Sequence, residues 1–279
     1  MNQTNIDIFN DTIGFIKEND VLNTSVSESI KRTSFHPDND YPSFDIKKDR
    51  DGVLIISKRR SFEAAMNLYK QYPNKRIGVL NFASATNPGG GVTHGSSAQE
   101  EALCRCSTLY PVIQTKELYN KYYGPNRRAR NNLHDDAVIY TPDIVICKTD
   151  TKYPVRLSEK EFVKVDVLSC AAPNLREQPS NLYNLDNSES VNISDEELYK
   201  IHLRRAKHIL YIAKYHHIDV LVLGAFGCGA FRNNPEVVAK AYKDVLKEYG
   251  KCFDAIEFAI YCSPYDMSNY EIFNNILNS

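Results

Sequence analysis

The chain has 279 residues, 42% hydrophobic and 25% charged, with a formal net charge of -1. That is ample for one substantial domain, and the charge balance argues against general nucleic-acid or anionic-membrane affinity, which would show as a basic excess. Seven scattered cysteines with no C-x-x-C pair read as reduced thiols. The N-terminus lacks a basic region followed by an apolar run, and no apolar stretch approaches the ~20 residues of a membrane span. The expectation is a soluble, cytoplasmic protein, a nuclear address staying open.

Residues 1–50 read as a helical extension, with Phe9, Ile13 and Ile16 at helical spacing before a polar stretch around Pro37 and Pro42. From residue 51 to 279 short β-rich runs alternate with amphipathic helices. VLIIS (53–57) predicts a strand, then a helix with Phe62, Ala65, Met66 and Tyr69 on one face, then the strongly apolar strand IGVLNFA (77–83). A helix starting near Ser97 follows, with Leu103, Cys106 and Tyr110 inward. AVIY (137–140), DIVIC (143–147) and FVKVDVLS (162–169) are further strands. Ser194 and Glu197 form a capping box for a helix with the core stripe Tyr199, Leu203, Ala206, Leu210 and Ala213. IDVLVLGAF (218–226) has the near-continuous apolar character of a strand buried on both faces. A helix begins at Pro235 with Asn234 as its cap, DAIEFAIYC (254–262) is a strand, and Ser268 and Glu271 box a last helix. Such alternation predicts an α/β fold, helices on both sides of a mixed sheet, in one compact unit. The long Pro-, Asn- and Ser-rich loop 173–194 is a candidate border of the site.

Chemistry concentrates after two of the strands. One segment runs from Asn81 through Asn87 and Gly89-Gly90-Gly91 to Gln99-Glu100-Glu101; the other is Gly224-Ala-Phe-Gly227-Cys228-Gly229-Ala230-Phe231. Each follows a strand and feeds a helix. Glycine permits positive φ and close approach of backbone to a ligand. Helix starts offer unpaired N–H groups to anions, and such loops gather beyond the carboxyl ends of the strands. Together they suggest a phosphate-bearing, nucleotide-like ligand, although neither matches the P-loop or the dinucleotide fingerprint.

Each feature also has a plainer reading. Ser97 and Glu100 have capping-box spacing, and Glu101 and Arg105 could be an exposed i, i+4 ion pair. Cys228 could be a nucleophile or merely a small side chain where backbone meets phosphate. Arg127, Arg128 and Arg130, in a Tyr- and Asn-rich stretch, could grip polymer phosphates or be an exposed charged loop, the plainer reading. His94 is a loop polar group, and His202, His208, His216 and His217 are structural or surface residues.

Three glycines, a spacer of seven residues and Gln-Glu-Glu resemble the signature of the poly(ADP-ribose) glycohydrolases. NFASATNPGGGVTHGSSAQEEALCRCSTLYP, VDVLSCAAPN and LGAFGCGAFRNNP are similar to the microbial-type branch of that family, and the resemblance spans roughly residues 50 to 265. It implies a macrodomain-like three-layer α/β/α sandwich and an ADP-ribose or poly(ADP-ribose) ligand. Cofactor and metal are not called for. Carried onto this chain, Glu101 would be the catalytic acid, and Gln99 and Glu100 would position the substrate. Gly89, Gly90 and Gly91 would shape the loop around the distal ribose, which Asn87 would contact. Gly227, Cys228, Gly229, Ala230 and Phe231 would hold the diphosphate. Because a helix N-terminus opposes protonation of a carboxylate, the bound diphosphate is expected to protonate Glu101. The rival readings are a non-catalytic ADP-ribose reader and a hydrolase of another ADP-ribosyl linkage, on ADP-ribosylated protein, nucleic acid or an acyl adduct.

Overall fold

Alternation within the strands builds two cores at once. In β3 (Ile77–Phe82), β5 (Val163–Cys170) and β6 (Val220–Leu223) the valines Val79, Val165, Val167, Val220 and Val222 face one helical layer; Leu80, Leu168, Leu221 and Leu223 face the other. Period-two side-chain direction makes that division automatic. Burying each such side chain contributes about 1.5–3 kcal/mol, so truncating the fully buried Leu221 to alanine is expected to cost about 2–5 kcal/mol.

The computed structural model describes residues 2–50, 52–181, 185–263 and 265–279. In chain order the remaining elements are α1 (Gln3–Glu18), α2 (Asp20–Arg32), β1 (Ser34–His36), β2 (Val53–Ser57), α3 (Ser61–Gln71), α4 (Gln99–Cys106), α5 (Leu109–Ile113), α6 (Lys116–Leu118), α7 (Gly124–Ala129), β4 (Val138–Ile146), α8 (Asp195–Tyr215), α9 (Pro235–Tyr249), β7 (Ala255–Ala259) and α10 (Ser268–Leu277). The sheet order is β1-β4-β5-β3-β6-β7-β2. β1 and β4 run antiparallel to their neighbours and the rest are parallel, giving the mixed sheet expected. Helices α1 to α4 cover the valine face, and α8, α9 and α10 the leucine face. No helix of the described residues is long and apolar enough to cross a membrane.

Several elements differ from expectation. The 137–147 region is one strand, with a register shift at Thr141/Ile144 that absorbs Pro142 and a positive φ at Asp143. Within residues 1–50 there are two helices and an edge strand rather than a helical lead-in alone; Phe9, Ile16 and Leu22 join the valine-side core and β1 joins the sheet. Tyr69 is 44% exposed, and Ala64 and Leu68 join Phe62 and Ala65 on the buried face of α3. Of the expected α8 stripe, Ala206, Leu210 and Ala213 are buried and Leu203 packs against the same core, whereas Tyr199 is only partly buried; the buried face widens to take in Leu198, His202, Arg205 and Ile209, and the Ser194 box forms as expected. Asn234 caps α9 with Pro235 in its first turn. α10 lacks the Ser268 box: Met267 is its cap, and Ser268 Oγ donates to Asp266 instead.

The five parallel strands point their carboxyl ends the same way. Phe82 at the end of β3, Ala225 beyond β6 and Ala259 and Ile260 at the end of β7 line one cavity of about 650 Å3.

Candidate active site

The turn after β3 is shaped by its own acids. Gly89 (φ +73) and Gly90 (φ +58) occupy the left-handed region, and a Cβ on Gly90 would come within 2.5 Å of Glu101 Oε1. The backbone N–H groups of this turn point at α4: that of Gly89 donates to Glu100 Oε1 (3.2 Å) and that of Gly91 to Glu101 Oε1 (2.9 Å). Glu100 also accepts from Ser84 N (2.8 Å) and Asn81 Nδ2 (3.2 Å).

Both plain readings of the acid pair fail on burial. Glu100 is 3% and Glu101 7% exposed. The cap of α4 is Ala98, without a side-chain cap bond, so Glu100 turns inward rather than closing a box with Ser97. Arg105 is buried as well and donates to Ser96 O (2.6 Å). The cover comes partly from the N-terminal segment, where Thr12 Oγ1 donates to Arg105 O (2.6 Å) and Asn5 Nδ2 to Gly95 O (2.9 Å).

Burial drives the titration. Desolvation raises both carboxyl groups above the usual range, and the charge of Glu101 adds to the push on Glu100. Hydrogen bonding from backbone N–H groups opposes that rise in both. Three N–H donors favour the charged form of Glu100, whereas Glu101 Oε2 is buried with no hydrogen-bond partner among the described residues. Burial and the neighbouring charge push Glu100 up to about 8, and burial raises Glu101 as well, so the two acids titrate as a coupled pair. The free protein already opposes the helix-terminus effect, so a bound diphosphate is not needed to raise Glu101.

The second loop has the opposite character. Gly227 (φ +79) is the only one of its glycines with positive φ, and a Cβ there would lie 2.6 Å from Ala172 Cβ. The N–H of Cys228 donates to Ala225 O (3.1 Å); those of Gly227, Gly229, Ala230 and Phe231 meet no acceptor among the described residues. Asn233 braces the turn, its Nδ2 donating to Pro173 O (2.7 Å) and Phe231 O (3.1 Å), while His202 Nε2 lies 2.7 Å from its Oδ1. Burial pushes His202 down to about 4, so it serves this brace as a neutral donor.

The cavity brings together Gly90, Gly91, Gln99, Glu100 and Glu101 with Gly227, Gly229, Ala230 and Phe231. Gln99 is a clamp: its Oε1 accepts from Phe82 N (2.8 Å), and its Nε2 donates to Leu80 O (2.8 Å) and Ser61 Oγ (3.0 Å). Asn87, Gly89 and Cys228 do not line the cavity. Asn87 Oδ1 accepts from Arg127 Nη2, and Arg127 Nε donates to Thr86 O (2.6 Å). Cys228 Sγ turns toward Phe226 O (3.7 Å), and burial pushes its thiol far up, away from nucleophilic thiolate.

Arg127, singled out in the sequence but assigned by default to an exposed loop, sits on α7 and braces the turn after β3. Sequence reasoning missed Asp150, buried in the wall with Oδ2 accepting from Phe62 N (3.0 Å). No local signal marked Asp150. Of the 173–194 loop, Arg176 and Asn181 line the cavity, as the border reading anticipated; residues 182–184 lie outside the described residues. Among the described residues no cluster of three His, Cys, Asp or Glu side chains could hold a metal ion.

A family model described as "Microbial-type PARG, catalytic domain" matches residues 3–149. The fold is similar to that of a poly(ADP-ribose) glycohydrolase from Thermomonospora curvata bound to the inhibitor ADP-HPD, with TM-score 0.81 and 26% identity over 98% of this chain and 99% of that one. A poly(ADP-ribose) glycohydrolase from Deinococcus radiodurans in complex with ADP-ribose superposes with TM-score 0.75 and 26% identity, over 91% of this chain and 96% of that one. No curated protein sequence matches the chain significantly.

Proposed function

We propose, from the premise that this chain belongs to the microbial-type poly(ADP-ribose) glycohydrolase family, that it releases ADP-ribose from poly(ADP-ribose) with Glu101 as general acid and then base. The reading is supported by one observation above all: Glu101, whose buried Oε2 has no hydrogen-bond partner among the described residues, lines the same cavity as Gly227, Gly229, Ala230 and Phe231.

Cleavage of a ribose–ribose O-glycosidic bond builds oxocarbenium character at the anomeric carbon, and the departing oxygen needs a proton. Glu101 Oε2 gives that proton as the C–O bond breaks. The resulting carboxylate takes a proton from water as its oxygen bonds to the anomeric carbon, which restores the acid. Glu100, fixed by its three donors, lines the same cavity beside Glu101. The diphosphate is held by the N–H groups of Gly227, Gly229, Ala230 and Phe231, and the protein acts in the cytoplasm.

Incubation with poly(ADP-ribose) tests the reading. Wild type releases free ADP-ribose; Glu101→Gln loses at least ~10²-fold in rate while ADP-ribose affinity barely changes. Binding without release by the wild type would favour a reader, and unimpaired turnover by Glu101→Gln would remove the acid from its role.

A further inference from the structure

The segment after β5 is stitched to both glycine turns. The N–H of Leu175 donates to Phe231 O (2.9 Å), and that of Leu185 to Thr86 Oγ1 (3.2 Å). Between those stitches Arg176 reaches the cavity. Its Nε donates to Asn174 Oδ1 (2.9 Å), its Nη2 donates to Pro179 O (2.5 Å), and its Cζ lies 5.6 Å from the centre of the Phe231 ring. Asn174 is fully buried and itself fixed, its Nδ2 donating to Pro179 O (3.0 Å) and Asp186 Oδ2 (2.6 Å). The guanidinium plane is thus held by two anchors, and Nη1 meets no acceptor among the described residues.

Its charge is only lightly compensated. Among the described residues no carboxylate pairs directly with Arg176; Asp186 favours its charge from a distance and burial opposes it. The other cation lining the cavity, Arg60, has its Nη1 3.9 Å from Asp150 Oδ1 and lies 4.1 Å over the Tyr261 ring. A half-buried guanidinium without a carboxylate is unfavourable unless a ligand completes it, and phosphate oxygens suit its donors.

We propose that Arg176 is a specificity-determining contact, donating from Nη1 to the ligand's diphosphate opposite the N–H groups of the 227–231 turn. This rests on the ADP-ribose reading above. The strap thereby adds side-chain charge to a site otherwise built from backbone dipoles, and selects nucleoside diphosphates over uncharged nucleosides.

The test measures binding of ADP-ribose, ADP and adenosine to the full chain, by calorimetry or ligand-observed NMR. Arg176→Gln is expected to weaken ADP-ribose and ADP by ~10- to 100-fold and to leave adenosine unchanged. Arg176→Lys, which keeps the charge without the fork, is expected to fall between. Equal losses for adenosine and ADP, or no loss for either, would overturn the assignment. If Arg176→Gln does not fold, the same comparison is read on Arg176→Lys. Failure of wild type to bind ADP-ribose would sink the activity reading and this one together, whereas wild-type binding with an unaffected variant overturns Arg176 alone.

Discussion

The two glycine turns look alike in sequence and are electrostatic opposites in the structure. In the turn after β3, the N–H groups of Gly89 and Gly91 are spent on Glu100 and Glu101. In the turn after β6, the N–H groups of Gly227, Gly229, Ala230 and Phe231 meet no acceptor among the described residues. The first turn has taken up its own anions and in doing so holds a buried acid; the second is left open for the ligand's. Backbone of the same kind therefore serves chemistry at one end of the cavity and binding at the other.

A pair of glycine substitutions is the most direct way to break that comparison. Gly227→Ala strains a positive φ and drives a Cβ toward Ala172 and Asn233. It is expected to weaken ADP-ribose binding by at least ~10-fold through loss of charge-assisted bonds, at a stability cost of about 1–3 kcal/mol. Gly90→Ala pushes on the Glu101 carboxyl and is expected to lower kcat by ~10²-fold, since small misplacements cost that much, with ADP-ribose affinity nearly kept. Calorimetry beside steady-state kinetics checks both. Equal effects of the two substitutions on Kd and kcat would merge the roles assigned to the turns.

The pH profile sharpens the comparison at the acid end. Burial raises Glu101, and the reactive form is protonated, so activity is lost as pH rises through the raised pKa. The alkaline limb of kcat/KM in wild type is expected above the ordinary carboxylate range. A bound diphosphate adds negative charge, so the limb of kcat is expected higher still. An alkaline limb of kcat/KM at ordinary carboxylate values would contradict a buried, protonated Glu101.

Stability supplies a smaller effect of the same origin. A carboxyl whose folded pKa is raised stabilises the fold below its unfolded pKa, and that contribution is lost as pH climbs through the folded value. At pH 8 the Glu101→Gln variant is therefore expected to melt about 2–4 °C above wild type for each kcal/mol relieved. The difference should shrink toward pH 4, and calorimetric melts at both pH values check it. A variant less stable than wild type at pH 8 would count against the strain.

Much of the frame was legible because its signals are local. The Ser194 box, the Asn234-Pro235 start and the fully apolar β6 each carry their physics within a few residues. β1, three residues with Ser34 and His36, is too short and polar to announce an edge strand, and Pro142 disguised β4 as two strands. In the site, the glycines and the acid pair stood out as a pattern, but their opposite use did not. That difference depends on contacts made across the chain: Thr12 on Arg105, Asn5 on Gly95, Arg127 on the turn at Thr86. The Ser97 box failed for the same reason, because the competing donors at Ser84 and Gly89 come from another segment.

The most direct measurement is a crystal structure of the Glu101→Gln variant with ADP-ribose. The account predicts diphosphate oxygens on the N–H groups of Gly227, Gly229, Ala230 and Phe231, and the anomeric carbon of the distal ribose beside residue 101. A diphosphate seated on the Gly89–Gly91 turn, or a distal ribose remote from residue 101, would contradict it.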